Sequence, residues 1–366
     1  MDEKSPLDAE IRRRIAAAGP MPVGEYMALC LGDPQHGYYT TRDPLGARGD
    51  FITAPEISQM FGELIGLWMA AVWKKMDSPD RINVIELGPG RGTLMKDALR
   101  ALNVMPGFRE TITVHLVEIS PVLKAAQERT LGSQPTPVHW HATLADVPRG
   151  TAIIVANEFF DAIPINQVVK QNGGWHERRI AIDANGEFGF AVAPNPLPYF
   201  QRLLPPALRA SADGAVFEWR DDIAAMEIGR RIANDGGAAL VIDYGHVESD
   251  VGDTLQAVGR HAYADPLTSP GELDITAHVD FQALRRAIEA MGAVGFGPLE
   301  QGEFLRRLGI ETRAATLKAR ATPAGAAEID QALVRLTGYS RSGMGMLFKA
   351  AAFAHRSLGA PPGFDS

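Results

Sequence analysis

Two short segments of the chain are mostly apolar: Ile82 to Leu87 and Thr151 to Ala156. A run of that length without alternation reads as a strand covered on both faces. Thr111 to Val117 and Ala238 to Ile242 read the same way, the first ending at Glu118 and the second at Asp243. Between them, Thr93 to Leu102 and Pro121 to Thr130 have helical spacing. Short apolar strands alternating with helices predict an α/β fold built on a mostly parallel sheet. Upstream, Ile57 to Met76 places Phe61, Leu64, Ile65, Trp68 and Val72 on one apolar helical face. Residues 7–32 read as two short helices broken at Gly19-Pro20-Met21-Pro22.

Two stretches depart from this rhythm. Between Ile165 and Ala193, three strand-like runs are separated by Asn172-Gly173-Gly174 and Asn185-Gly186. Asn-Gly is the strongest short hairpin signal, so a small antiparallel meander is expected after the fourth core strand. Residues 303–340 have helical character and lie between a strand-like Ala293 to Leu299 and a final strand expected over Met344 to Ala354. The expected organisation is N-terminal helices and a lid loop over 1–80, then a core over 81–366 with insertions near 165–235 and 303–340.

Composition narrows the function classes. Of 366 residues, 46% are hydrophobic and 22% charged, which suits a globular chain; the formal net charge of -8 argues against a broadly basic nucleic-acid surface. Cys30 is the single cysteine, so no disulfide within the chain and no thiolate zinc site can form. His139-Trp140-His141 has the spacing of a ligand pair but no nearby partner to complete a metal site, and reads better as an edge strand. Asp2, Glu3, Asp8 and Glu10 interrupt the N-terminus as an export signal or transit peptide, and no apolar run reaches 18 residues. The expected compartment is the cytoplasm.

The candidate chemistry sits at strand ends. Val84 to Gly92 reads VIELGPGRG: a strand delivers Glu86, then Gly88, Pro89, Gly90 and Gly92 form a turn before a helix. Glycines there permit positive φ and a close approach of ligand to backbone, and the helix start offers free amides. A dinucleotide turn needs a glycine at position 93, where this chain has Thr93. A carboxylate two residues before the first glycine repels a pyrophosphate and suits a ligand carrying an ammonium and a sulfonium. Glu118, ending the second strand, suits the two ribose hydroxyls of a nucleoside. Asn157-Glu158-Phe159-Phe160-Asp161 closes the fourth strand, where ligands of open α/β sheets bind. Two carboxylates and an amide there suit a cation such as arginine's guanidinium, planar with five N–H donors. Arg42 and Arg48 read as solvated loop residues.

These blocks together resemble the MidA-type methyltransferases, the family that includes the mitochondrial complex I assembly-factor arginine methyltransferase. The resemblance rests on HGYY at 36–39, GDFITAPEISQMFGELIG at 49–66, ELGPGRGTLMKD at 86–97, NEFFDAIP at 157–164, IDYGH at 242–246 and PGELDITAHVDF at 270–281. It implies a class I, Rossmann-like sheet whose last strand is antiparallel, S-adenosylmethionine as cofactor, and methylation of an arginine nitrogen on a quinone-module subunit of complex I. It also implies a bacterial relative of the mitochondrial protein. The glutamate pair of other arginine methyltransferases has one evident counterpart, Glu158, with Asp161 the candidate for the second.

The expected acceptor residues are therefore Glu158 and Asp161. The expected cofactor residues are Glu86, Gly88, Pro89, Gly90, Gly92, Glu118, Ile119, Asn157 and Thr53, the last within a lid loop from Gly49 to Pro55. No metal is expected. The rival reading is an assembly chaperone that binds the cofactor for structure alone; an NAD-dependent oxidoreductase is disfavoured by Thr93 and Glu86.

Overall fold

The computed structural model describes residues 5–42, 53–259, 262–340 and 343–365. Seven strands build the central sheet: β1 Ile82–Leu87, β2 Ile112–Val117, β3 Val138–His141, β4 Ala152–Asn157, β5 Gly237–His246, β6 Val294–Glu300 and β7 Phe348–Ala354. Their order across the sheet is β3-β2-β1-β4-β5-β7-β6. β1 to β5 run parallel, and β7 runs antiparallel to both of its neighbours. A two-residue strand, Val279–Asp280, extends the far end of β5 at Gly245 and His246.

The apolar runs are buried on both faces, as their lack of alternation requires. Val84, Ile153, Val155, Leu240 and Ile242 point into one cluster with Phe61, Trp68 and Leu99. Their sequence neighbours Ile85, Ile154, Ala156, Ala239 and Val241 point into a second cluster with Ile228, Ile232 and Ile288. That is the period of two of a pleated strand serving two cores. The first face is covered by helices Gln59–Lys75 and Thr93–Ala101, and the second by Ile223–Asp235 and Phe281–Ala290.

The meander forms where Asn-Gly places it. Ile165–Gln171 and Gly174–Ile182 pair antiparallel around Asn172 and Gly173, whose φ of 51° and 75° match a two-residue turn with both centres left-handed. Phe188–Val192, Val216–Arg220 and Met21–Pro22 complete a five-stranded sheet. Helices Pro6–Ala18 and Val23–Gly32 pack on it through Leu7, Ile11, Tyr26 and Met27 against Ile165 and Ile180. The inserted sheet thus ends at Arg220, and Ile223–Asp235 is the crossover helix leading into β5. A third, three-stranded sheet of Gln256–Gly259, Ala262–Ala264 and Asp274–Thr276 lies beside it.

Helices Gln301–Arg307, Ile310–Lys318 and Pro323–Thr337 connect β6 to β7. The final strand expected over Met344 to Ala354 is shorter: Met344–Leu347 is a helical turn, and the strand begins at Phe348. Gly345 explains the turn, because a Cβ there would lie 2.3 Å from the Thr337 carbonyl group. The chain bends around the end of the preceding helix before it can extend. No helix among the described residues is long and apolar enough to cross a membrane.

Candidate active site

Glu86 is 2% exposed on β1, and its Oε2 has no hydrogen-bond partner among the described residues. Burial pushes its carboxyl up to about 8. An ionised carboxylate held this way needs a cation. The turn that follows places Gly88, Gly90 and Gly92 at φ of 60°, 53° and 80°, a left-handed region that favours glycine. The Gly92 amide donates to the Pro89 carbonyl at 2.8 Å, and Gly92 caps helix Thr93–Ala101. An orphaned buried carboxylate beside a glycine cradle and a helix start fits the zwitterionic methionine end of S-adenosylmethionine, ammonium to Glu86 and carboxylate to the amides.

Glu118 ends β2 with both oxygens held. Oε1 accepts from the Ser120 amide at 2.7 Å, and Oε2 accepts from Gln127 Nε2 at 3.0 Å. Burial raises its carboxyl, while these two donors pull the other way. Ile119 beside it is 68% exposed, an apolar surface of the kind a purine face covers. The residue that organises this corner is Gln127, which the sequence reading missed. Wholly buried, it donates to the Gly90 carbonyl at 2.7 Å and to Glu118, and accepts from Trp140 Nε1 at 2.9 Å. One amide therefore links the glycine turn, the strand-end acid and β3. The available signal was a glutamine on the buried face that Leu123, Ala126 and Leu131 define.

At the end of β4, Glu158 adopts φ 51°. A left-handed glutamate costs on the order of 1 kcal/mol and survives only where its surroundings hold it. Its amide donates to the Ile242 carbonyl at 2.9 Å, and its Oε1 accepts from Asn157 Nδ2 and from the Ala54 amide, each at 3.1 Å. Burial pushes the Glu158 carboxyl up to about 7; the Ala54 amide opposes this and the nearby Asp161 carboxylate adds to it. Asn157 Oδ1 and Asp161 Oδ1 are both buried without a partner among the described residues. Oxygens suited to N–H donors thus come from three residues of one strand end, Asn157, Glu158 and Asp161. This turn abuts the glycine turn, since a Cβ on Gly88 would lie 3.0 Å from Phe159 Cδ2.

A second strand end holds that turn in place. Asp243, fully buried on β5, accepts from the Phe160 and Asp161 amides through Oδ2 at 3.0 and 3.2 Å, and from the Tyr244 amide through Oδ1 at 2.9 Å. Desolvation holds its carboxyl well above the usual range, and the neighbouring Asp161 and Glu158 add to this. Arg220, from the inserted sheet, lies under the same turn with Nη1 on the His278 carbonyl at 2.8 Å and Nη2 on the Ala277 carbonyl at 2.5 Å. IDYGH was visible as a motif, but the role of Asp243 was not; an acid directly after five buried apolar positions was the signal.

Thr53 is half-buried and caps the short helix Ala54–Ile57 through its backbone rather than its side chain. That segment bridges the two halves of the site, with the Ala54 amide on Glu158 and Glu56 on the Thr93 hydroxyl. The rest of the expected lid, residues 49–52, lies outside the described residues, as does Arg48. Arg42 binds the Gly271 and Glu272 carbonyls at 2.9 and 3.3 Å and stacks on Tyr38, tying one loop to another. His139 and His141 lie on edge strand β3, and His141 Nε2 sits 2.9 Å from His115 Nδ1. Among the described residues no group of His, Cys, Asp and Glu could hold a metal ion.

The strand order, the antiparallel β7, the glycine turn after β1 and the acid after β2 define a class I S-adenosylmethionine-dependent methyltransferase fold. Residues 64–299 match the family described as "Putative S-adenosyl-L-methionine-dependent methyltransferase", and the chain belongs to this family. It is 38% identical over 373 residues to the Drosophila melanogaster mitochondrial protein arginine methyltransferase NDUFAF7 homolog, covering 94% of this chain and 84% of that one. It is 36% identical to human mitochondrial protein arginine methyltransferase NDUFAF7, covering 84% of this chain and 74% of the other. A Burkholderia thailandensis protein crystallised bound to S-adenosyl-homocysteine superposes with a TM-score of 0.83 at 32% identity, covering 98% of this chain and 92% of that one.

Proposed function

We propose that this methyltransferase acts on the side chain of a protein arginine, and that Glu158, Asp161 and Asn157 receive the guanidinium. The observation that carries the reading is one half-buried carboxylate and two unpartnered buried oxygens within five residues at the end of β4, against the glycine turn. A guanidinium supplies planar N–H donors and a permanent charge, so it satisfies all three and relieves the desolvated carboxylates. The names of the relatives at 36–38% identity support the same acceptor class. A quinone-module subunit of respiratory complex I is the candidate protein that the family resemblance supplies.

The bound cofactor provides an electrophilic methyl on a sulfonium. The chain's own work is positional. Glu86 and the glycine turn fix the methionine end, and Glu118, aligned by Gln127 and Ser120, fixes the ribose. Glu158 and Asp161 orient the guanidinium so that one nitrogen faces the methyl. Most of the acceleration comes from alignment and a preorganised, poorly hydrated site. The attacking nitrogen sheds one proton as its bond to carbon forms and the sulfonium–carbon bond breaks, and the Glu158 carboxylate, whose burial raises its proton affinity, is a base at that strand end.

The test is to incubate the purified chain with isotopically labelled S-adenosylmethionine and a complex I quinone-module subunit, then locate label by peptide mass spectrometry. Label on arginine supports the reading. Label confined to lysine, to a carboxyl or to no residue overturns it; the last outcome favours the chaperone alternative.

A further inference from the structure

Beside the acceptor turn lies a cavity of about 340 Å³ between the inserted sheet, the loop after β5 and helix Phe281–Ala290. Phe160, in the acceptor turn, and Arg220, whose Nη2 lies 3.5 Å from the Asp161 carbonyl oxygen, line it. Phe200, Phe217 and Trp219 form an aromatic wall, with Phe200 and Trp219 centroids 5.1 Å apart. Five carboxylates line the cavity against two guanidiniums, Arg220 and Arg286. Arg220 Nε is buried without a partner among the described residues, although both of its terminal nitrogens are engaged. At the mouth, Leu203 is 75% exposed, and Ile223 and Val247, next to lining residues Asp222 and His246, are 74% and 45% exposed.

We propose that this cavity seats an extended segment of the polypeptide substrate, flanking the arginine that is methylated, and selects a cationic side chain next to an apolar one. The inference rests on the protein-arginine reading above. Charge decides the occupant. An anionic ligand would meet the excess of carboxylates, and no cluster among the described residues could hold a bare metal ion. A polypeptide carrying Arg or Lys meets carboxylates such as Asp221, Asp222 and Asp250 at the rim. Its apolar neighbour covers Leu203 and Ile223, and its backbone carbonyl is the acceptor that Arg220 Nε lacks. Exposed large apolar side chains around a concavity, on a chain of net charge -8, are what a protein-docking surface presents. Phe160 is two residues from Glu158, so their Cα atoms are at most about 7 Å apart. A substrate arginine at Glu158 therefore puts residues a few positions away over the cavity.

The experiment uses the full chain saturated with S-adenosyl-homocysteine and two fluorescein-labelled nonapeptides, one alternating Arg and Leu, the other Glu and Leu. Fluorescence anisotropy compares wild type with Leu203→Lys/Ile223→Lys, a double variant at positions exposed enough to leave the fold intact, which equal cofactor affinity verifies. Wild type is expected to bind the Arg/Leu peptide and not the Glu/Leu peptide, and the double variant to bind the Arg/Leu peptide about tenfold more weakly or worse. Equal binding by the variant, equal binding of both peptides, or no saturable binding by wild type overturns the proposal. In a second assay, with S-adenosylmethionine in place of S-adenosyl-homocysteine, methyl transfer to the Arg/Leu peptide separates the two readings. Rim-dependent binding without transfer upholds the docking site and counts against arginine as acceptor. Transfer with an unchanged KM in the rim variant upholds arginine and removes the docking site.

Discussion

Replacing Glu86 by glutamine tests the cofactor end through two opposing effects. The folded protein holds this carboxyl near 8, against an ordinary value of 4.5, because burial penalises the charged form. A tenfold change in protonation equilibrium is 1.36 kcal/mol, so ionising Glu86 in the folded state costs at most about 5 kcal/mol. The sign follows from linkage. Between pH 4.5 and 8 the unfolded chain has lost this proton and the folded chain keeps it, so stability drains away as pH rises and levels off above 8. The glutamine of the variant cannot ionise, so this slope is lost. Its amide still leaves a polar group without a partner, at a pH-independent cost of about 1–3 kcal/mol. The difference between variant and wild type must therefore shift in the variant's favour by a few kcal/mol between pH 5 and 8. Cofactor binding moves the other way. Without a carboxylate for the ammonium, one charge-assisted contact of about 1.5–3 kcal/mol is lost, a 10- to 150-fold weaker Kd. Chemical denaturation across this pH range and calorimetric titration of S-adenosyl-homocysteine measure both. Parallel pH profiles together with an unchanged Kd would refute the reasoning.

Three further outcomes are expected. Glu118→Ala weakens S-adenosyl-homocysteine binding by about 10- to 150-fold, from 1.5–3 kcal/mol of charge-assisted hydrogen bonding; an unchanged Kd in calorimetry would place the ribose partner elsewhere. Asp243→Asn turns an amide group toward backbone donors that the carboxylate now accepts, so thermal unfolding should show a loss of about 1–3 kcal/mol. Methyl transfer should fall in that variant while cofactor affinity holds, and undiminished transfer would show that the turn does not depend on Asp243. Finally, kcat/KM for the acceptor should rise with pH through about 7, where Glu158 of the free enzyme ionises and becomes a partner for guanidinium. A profile flat from pH 6 to 8 would contradict that role.

Much of the core was legible because a strand buried on both faces leaves a continuous apolar run, as Ala152 to Ala156 and Ala238 to Ile242 do, and because Asn172-Gly173 admits few conformations besides a tight hairpin. Glu158 and Glu118 could be singled out as candidates since each lies at the end of such a strand. What stayed hidden depends on distant pairing. The third sheet uses strands of three or four residues whose partners, such as Val258 and Asp274, are remote in sequence. The start of β7 was misplaced because Met344 and Met346 are apolar enough for a strand, and only the contact of Gly345 with Thr337 bends the chain there. Gln127 and Asp243 act on backbone groups brought to them by folding, and no local pattern advertises that.

The central claim is that Glu158 presents an arginine to the methyl group, and a single-turnover comparison of wild type with Glu158→Gln tests it most directly. The substitution keeps the side chain's size and the oxygen that accepts from Ala54 and Asn157, and removes only the charge. Labelled cofactor is preloaded, a complex I quinone-module subunit is added in excess, and methylarginine is quantified with time. Losing a charge-assisted contact to the reacting group should cost about 2–4 kcal/mol, a rate lower by roughly 30- to 1,000-fold, with cofactor affinity unchanged. Equal rates of arginine methylation in the two proteins would contradict the claim.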